Sequence, residues 1–148
     1  MKRFVFSLEP LLQKHRWESD VLCMEKTNAT RAVEAVSNEL KMIEKRISEY
    51  QDALIQATLE DTGINLGKRQ VIGLYLQHQQ VVALQTRKSL AQAQAVELQI
   101  SEQLTKTLQQ LKTLEKLKAH AKQKYQYQQL RTEQNEADDH WLARYNPT

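Results

Sequence analysis

A chain of 148 residues with three Gly, two Pro and 6% aromatics has few places to turn and too little Phe, Ile and Val for a wide core. Nineteen Gln among abundant Leu, Ala, Glu and Lys suit long helices with one narrow apolar seam, in a single domain spanning 1–148. The lone Cys23 excludes an internal disulfide framework and fits a reducing compartment, and no run of 18 apolar residues offers a membrane span.

Residues 4–12 read FVFSLEPLL, the densest apolar cluster in the chain. Lys2 and Arg3 precede it as in a signal peptide. Glu9 and Pro10 break the apolar run and no small-residue cleavage site follows, so a helix start is expected instead. Ser7 is a candidate N-cap, with Leu8, Glu9 and Pro10 as the first turn, where Pro removes no helical hydrogen bond. Phe6 and Leu11 then have the spacing of a hydrophobic staple. Glu9 as cap with Pro10 first is the competing register. Phe4 and Val5 are left with two possible roles: packing on a later helix near Trp141, or forming an apolar tip that a partner receives.

From Leu8, positions spaced alternately by four and three run through His15, Ser19 and Lys26 to Ala57. All nine from Ala29 to Ala57 are apolar or Tyr, a heptad seam that predicts a left-handed coiled coil. The first arm therefore covers about residues 8–60. Gly63 and Gly67, with Asp61, Thr62 and Asn65, predict a turn at 61–67. The second arm runs from about 68 to 140 without Pro, and Gly73 is expected to disturb its first turns. Leu74, Val81, Leu84, Ala91, Ala95 and Leu98 hold one phase; Leu104, Leu108, Leu111, Leu114 and Ala121 hold another. A stutter is therefore expected near 98–104. The fold class is all-α: an antiparallel two-helix coiled-coil hairpin with unequal arms of roughly 80 and 105 Å, the second overhanging the first. A parallel homodimer of each arm is the alternative.

Net charge is +3, unevenly spread. Residues 71–132 hold nine basic and three acidic side chains, and residues 133–148 hold four acidic and one basic. A solvated helix face and an acidic partner surface both fit this bias. Lys112, Lys116, Lys118, Lys122, Lys124 and Arg131 are interleaved with Tyr125 and Tyr127, a pattern that also occurs in single-strand nucleic-acid binders. Tyr125 is in step with Leu104 and Leu111, so it belongs to the seam, and nucleic acid is disfavoured as a partner.

No phosphate-binding glycine motif, zinc-binding His motif or paired Cys occurs, and His15, His78, His120 and His140 are too scattered for helical metal ligation. No catalytic residue, metal or cofactor is expected; Cys23 reads as a small packing residue. Tyr50, Tyr75, Trp17 and Trp141 are the aromatics to weigh as partner anchors, against a role as covers for the seam's edge.

Phe4 to Leu12, Leu40-Lys41-Met42 with Glu49-Tyr50, the turn with Gly63 and Gly67, Leu114 to Lys118 and the acidic pair Asp138-Asp139 stand in an order and spacing that resemble the FliJ family of flagellar export proteins. The resemblance covers nearly the whole chain. It implies the coiled-coil stalk of a hexameric export ATPase, promoting assembly and turnover of the ring. It further implies contact with the cytoplasmic ring of the export gate and escort of export chaperones, in the cytoplasm at the inner face of the membrane. Carried onto this chain, the ring-binding end is Phe4 to Arg16 with about Lys118 to Arg144, including Phe4, Phe6, Leu11, Leu12, Arg16, Lys118, Lys122, Asp139 and Trp141. Tyr50 and Tyr75 are the gate-facing candidates. Virulence type III secretion stalk proteins share this architecture, and a generic dimeric scaffold is the other alternative.

Overall fold

The computed structural model describes residues 3–59 and 66–145. It consists of helix α1, Glu9–Leu59, and helix α2, Leu66–Tyr145, with no strand among the described residues. The helices pack against each other antiparallel, as an all-α helical hairpin. Their contacts form two compact units: a terminal unit, Met1–Val21 with Leu104–Thr148, and a hairpin unit, Leu22–Gln103.

In the terminal unit, α1 begins one residue off either expected register. The Leu12 amide donates to the Leu8 carbonyl at 2.9 Å, which makes Leu8 the cap, and the Glu9 amide donates to the Phe6 carbonyl at 3.1 Å. Leu12, a position of the expected seam, is then the fourth helical residue in place of Leu11. Phe6 is buried and Leu12 is 0% exposed, whereas Leu11 is 39% exposed, so the expected Phe6–Leu11 staple is replaced by burial of Leu12. Leu104 and Leu114 of α2 complete the buried apolar set here.

The predicted α1 seam is the buried one. Every position from Ala29 to Ala57 at heptad spacing is buried or half-buried, and of the three weak positions only Lys26 is exposed. Ser19 is buried at little cost because its hydroxyl donates to the Arg16 carbonyl at 2.8 Å. His15 is half-buried, its Nδ1 3.2 Å from Glu18 Oε2.

The expected α2 phase is overturned between 74 and 98. Leu74, Val81, Leu84, Ala91, Ala95 and Leu98 are all exposed. Ile72, Leu76, Gln79, Ala83, Thr86, Leu90, Ala93 and Glu97 face α1 instead. These continue at three-four spacing through Ile100 and Leu104 to Tyr125, so there is no stutter at 98–104. The physical reason is continuity of register. The step from Leu98 to Leu104 is six residues, which a supercoil can absorb only by a local break, whereas Ile100 to Leu104 needs none. Two polar members of the seam find partners, whereas the buried Gln79 Oε1 accepts no hydrogen bond among the described residues. The Thr86 hydroxyl donates to the Val82 carbonyl at 2.8 Å, and Glu97 accepts a bond from the Thr30 hydroxyl at 3.2 Å.

The turn expected at 61–67 lies outside the described residues up to 65, Gly63 included. Gly67 does not stop a helix: it is helical, in the first turn of α2, and no described Gly has positive φ. Gly73 causes no irregularity either, since α2 runs through it without interruption. The end of α1 is satisfied from across the hairpin. Its last turn has no basic residue, and the Arg69 guanidinium donates to the Ala57 carbonyl at 2.9 Å and the Thr58 carbonyl at 3.3 Å. That occupies carbonyls left without helical donors and places positive charge at the negative helix end.

Candidate functional site

The terminal unit brings together most of the residues expected at the ring-binding end. Phe4 leans on Tyr125, ring centroids 5.4 Å apart, and this contact rather than one with Trp141 is its packing role. Val5 is 80% exposed and keeps the character of an apolar tip. Phe6 and Leu12 are spent on the core, so their side chains hold the unit together rather than present a surface. Tyr125 is half-buried in the seam, as its spacing predicts.

Three charged residues of this set are joined across the two helices. Lys118 Nζ lies 2.8 Å from Glu9 Oε2, and Arg16 Nη2 lies 3.7 Å from Glu115 Oε1. Lys118 sits at a seam position, where its stem covers apolar surface and its ammonium reaches Glu9. The hydrogen bond from Lys118 holds the Glu9 carboxyl below its ordinary range, a bond from Gln13 at 3.0 Å adds to this, and partial burial opposes both. A depressed carboxyl stabilises the fold above its unfolded titration range, and that stability is lost as pH falls through its folded one. Lowering pH from about 6 to about 3, across the ordinary glutamate range, is therefore expected to lower the native melting temperature more than that of Glu9→Gln. Circular dichroism melts of both proteins measure this, and parallel pH profiles would rule the ion pair out as the source.

Beside this pair lies an open groove of about 430 Å³, lined by Leu11, His15, Lys106, Gln109, Gln110, Thr113 and Leu114. Farther along α2, every residue from Arg131 to Tyr145 is exposed. Trp141 packs on Tyr145, ring centroids 4.5 Å apart, and Leu142 is exposed beside them. The sequence points to Trp141; it misses Tyr145, although a second aromatic four residues on falls on the same helix face. Lys122 is exposed, and Asp139 lies with Glu136 and His140 around a shallow depression.

The two gate-facing candidates meet in the hairpin unit. Tyr50 and Tyr75 stack edge to face, centroids 4.7 Å apart and 65° between planes. A hydroxyl hydrogen bond with Tyr75 is the main influence raising the Tyr50 phenol above its ordinary range, with burial second. Tyr50 is thus a seam residue, while Tyr75 keeps 43% of its surface exposed.

Among the described residues no group of three His, Cys, Asp or Glu could hold a metal ion, and no helix is long and apolar enough to cross a membrane. Neither a curated protein nor a solved structure matches the chain. The family model described as the flagellar FliJ protein matches residues 4–147. The chain belongs to the FliJ family and has a role related to flagellar protein export.

Proposed function

We propose that this protein is the coiled-coil stalk of a hexameric export ATPase, and that its terminal unit is the part the ring receives. The supporting observation is the composition of that unit. It holds α1's first turns together with an α2 segment whose aromatic pair, Trp141 and Tyr145, is largely exposed. Exposed Trp and Tyr are favoured interface anchors. Asp139 and Arg144 beside them, with the exposed Lys122 farther back on α2, give a mixed-charge surface suited to weak, screened contacts. An asymmetric helix pair inside a sixfold ring contacts the six subunits unequally, and unequal contact shifts them into different states. In this way a stalk that performs no chemistry promotes assembly and turnover.

The same reading gives Tyr50 and Tyr75 to contact with the cytoplasmic ring of the export gate, and lets the chain escort export chaperones. It places the protein in the cytoplasm, peripherally at the inner face of the cell membrane. Membership of the flagellar family favours this over a virulence secretion stalk.

The purified chain is expected to raise ATP turnover of the hexameric export ATPase of its own organism several-fold, and to shift that ATPase from monomer to hexamer in sedimentation. It should hydrolyse no ATP alone. Unchanged turnover with a folded, helical preparation would overturn the stalk reading and leave the generic scaffold.

A further inference from the structure

The six residues that fail to enter the seam form a second heptad stripe. Leu74, Gln77, Val81, Leu84, Lys88, Ala91, Ala95 and Leu98 alternate in spacing by three and four, and six of the eight are apolar. Each lies two residues before a member of the buried seam, about 200° around the helix. This part of α2 therefore has two packing faces, and α1 covers one of them. On the other, Leu74, Val81, Leu84 and Leu98 are 68%, 54%, 54% and 61% exposed.

The charges around the stripe are sparse. Between residues 71 and 101 the only charged side chains are Arg87, Lys88 and Glu97. Arg87 pairs with Glu44 at 3.6 Å, and Glu97 accepts a bond from Thr30. Lys88, at the centre of the stripe, has no ion pair among the described residues. Gln80, Gln85, Gln92, Gln94 and Gln99 border the stripe with neutral side chains. An apolar heptad seam with one charged member is how helices select a partner and register at some cost in stability.

We propose that this stripe docks one amphipathic helix of a partner protein that carries a carboxylate facing Lys88. Its length, about 36 Å, matches a partner helix of about 25 residues. Charge argues for this occupant over a second copy of the chain. In a parallel pair Lys88 faces Lys88, and in an antiparallel pair centred on the stripe the two ammonium groups lie about one turn apart. Both juxtapositions are repulsive. A membrane surface is disfavoured too, because the stripe lacks the flanking basic residues that hold helices on anionic lipid.

The test uses the full chain and a labelled 25-residue peptide with Leu at the two seam positions of each heptad and one Glu at the central position, kept at concentrations where it is monomeric. Fluorescence anisotropy should show binding that Lys88→Glu weakens at least tenfold. A peptide with Lys in place of its Glu should recover that loss. Leu84→Asn should weaken binding as much while leaving the melting temperature unchanged, because Leu84 faces away from α1. No peptide binding, or equal affinity for the native chain and both variants, overturns the proposal. So does a native dimer in sedimentation that Leu84→Asn dissolves, which would make a second copy the occupant. None of these readouts involves the ATPase, so this inference stands or falls apart from the stalk.

Discussion

Leu12→Ala is expected to cost about 2–5 kcal/mol, the range for a buried leucine whose cavity does not close. Among the described residues Leu12 is the one large side chain with no exposure, and it lies with Phe6, Leu104 and Leu114 in the small apolar set of the terminal unit. A helix pair has few other buried contacts to share the loss. Amide hydrogen exchange localises the effect. Amides of residues 9–21 and 104–125 should lose protection, whereas those of 29–57, in the hairpin unit, should keep it. Leu11→Ala is the control. Leu11 faces the open groove and is 39% exposed, so its replacement should cost less than about 1 kcal/mol. The sequence reading has Leu12 in the seam and Leu11 in a staple with Phe6, so a loss at Leu11 as large as that at Leu12 would restore the staple.

Much of the fold is legible in the sequence because one period dominates. The α1 seam from Ala29 to Ala57 is purely apolar or Tyr, so it admits one reading, and that face is buried. In α2 between 72 and 100 two heptad stripes compete. The outward one contains Leu74, Val81, Leu84 and Leu98; the inward one is diluted by Gln79, Thr86 and Glu97. Hydrophobicity alone favours the wrong stripe. The six-residue step from Leu98 to Leu104 is the available clue. A phase break of that size can mark a stutter, but it can equally mean that one set belongs to another face.

The candidate site was legible by residue type and less so by role. Phe6, Leu12 and Lys118 are where sequence reasoning places a partner surface, yet the first two form core and the third binds Glu9. A seam residue and an interface residue look alike in one sequence, since both are apolar or aromatic at helical spacing. Helix-start geometry separates Leu11 from Leu12, and a one-residue shift of the cap is below what cap propensities resolve. Tyr50 shows the same ambiguity: its ring packs on Tyr75, so its replacement tests packing and partner binding together.

The end of α2 allows those two effects to be separated, and Trp141→Ala combined with Tyr145→Ala is expected to remove at least nine-tenths of the ATPase stimulation without destabilising the chain. Arg131 to Tyr145 are exposed throughout, so removing the two rings should change global stability by no more than about 0.5 kcal/mol. Loss of two aromatic anchors from an interface costs upwards of 2 kcal/mol, and 1.4 kcal/mol is already tenfold in affinity. The segment also lacks the usual support for a helix. Glu133, Glu136, Asp138 and Asp139 crowd acidic charge towards its negative end, and Arg144 is the only basic residue of the last turn. Without tertiary packing such a stretch is marginal in water. Its amides should therefore exchange fast in the free chain and slow in the presence of the hexameric ATPase. Leu12→Ala, by contrast, should lower stability and stimulation together. If the double aromatic variant stimulates the ATPase like the native chain, the ring does not grip this end. Exchange at 131–145 unchanged by the ATPase would lead to the same conclusion by a route independent of turnover.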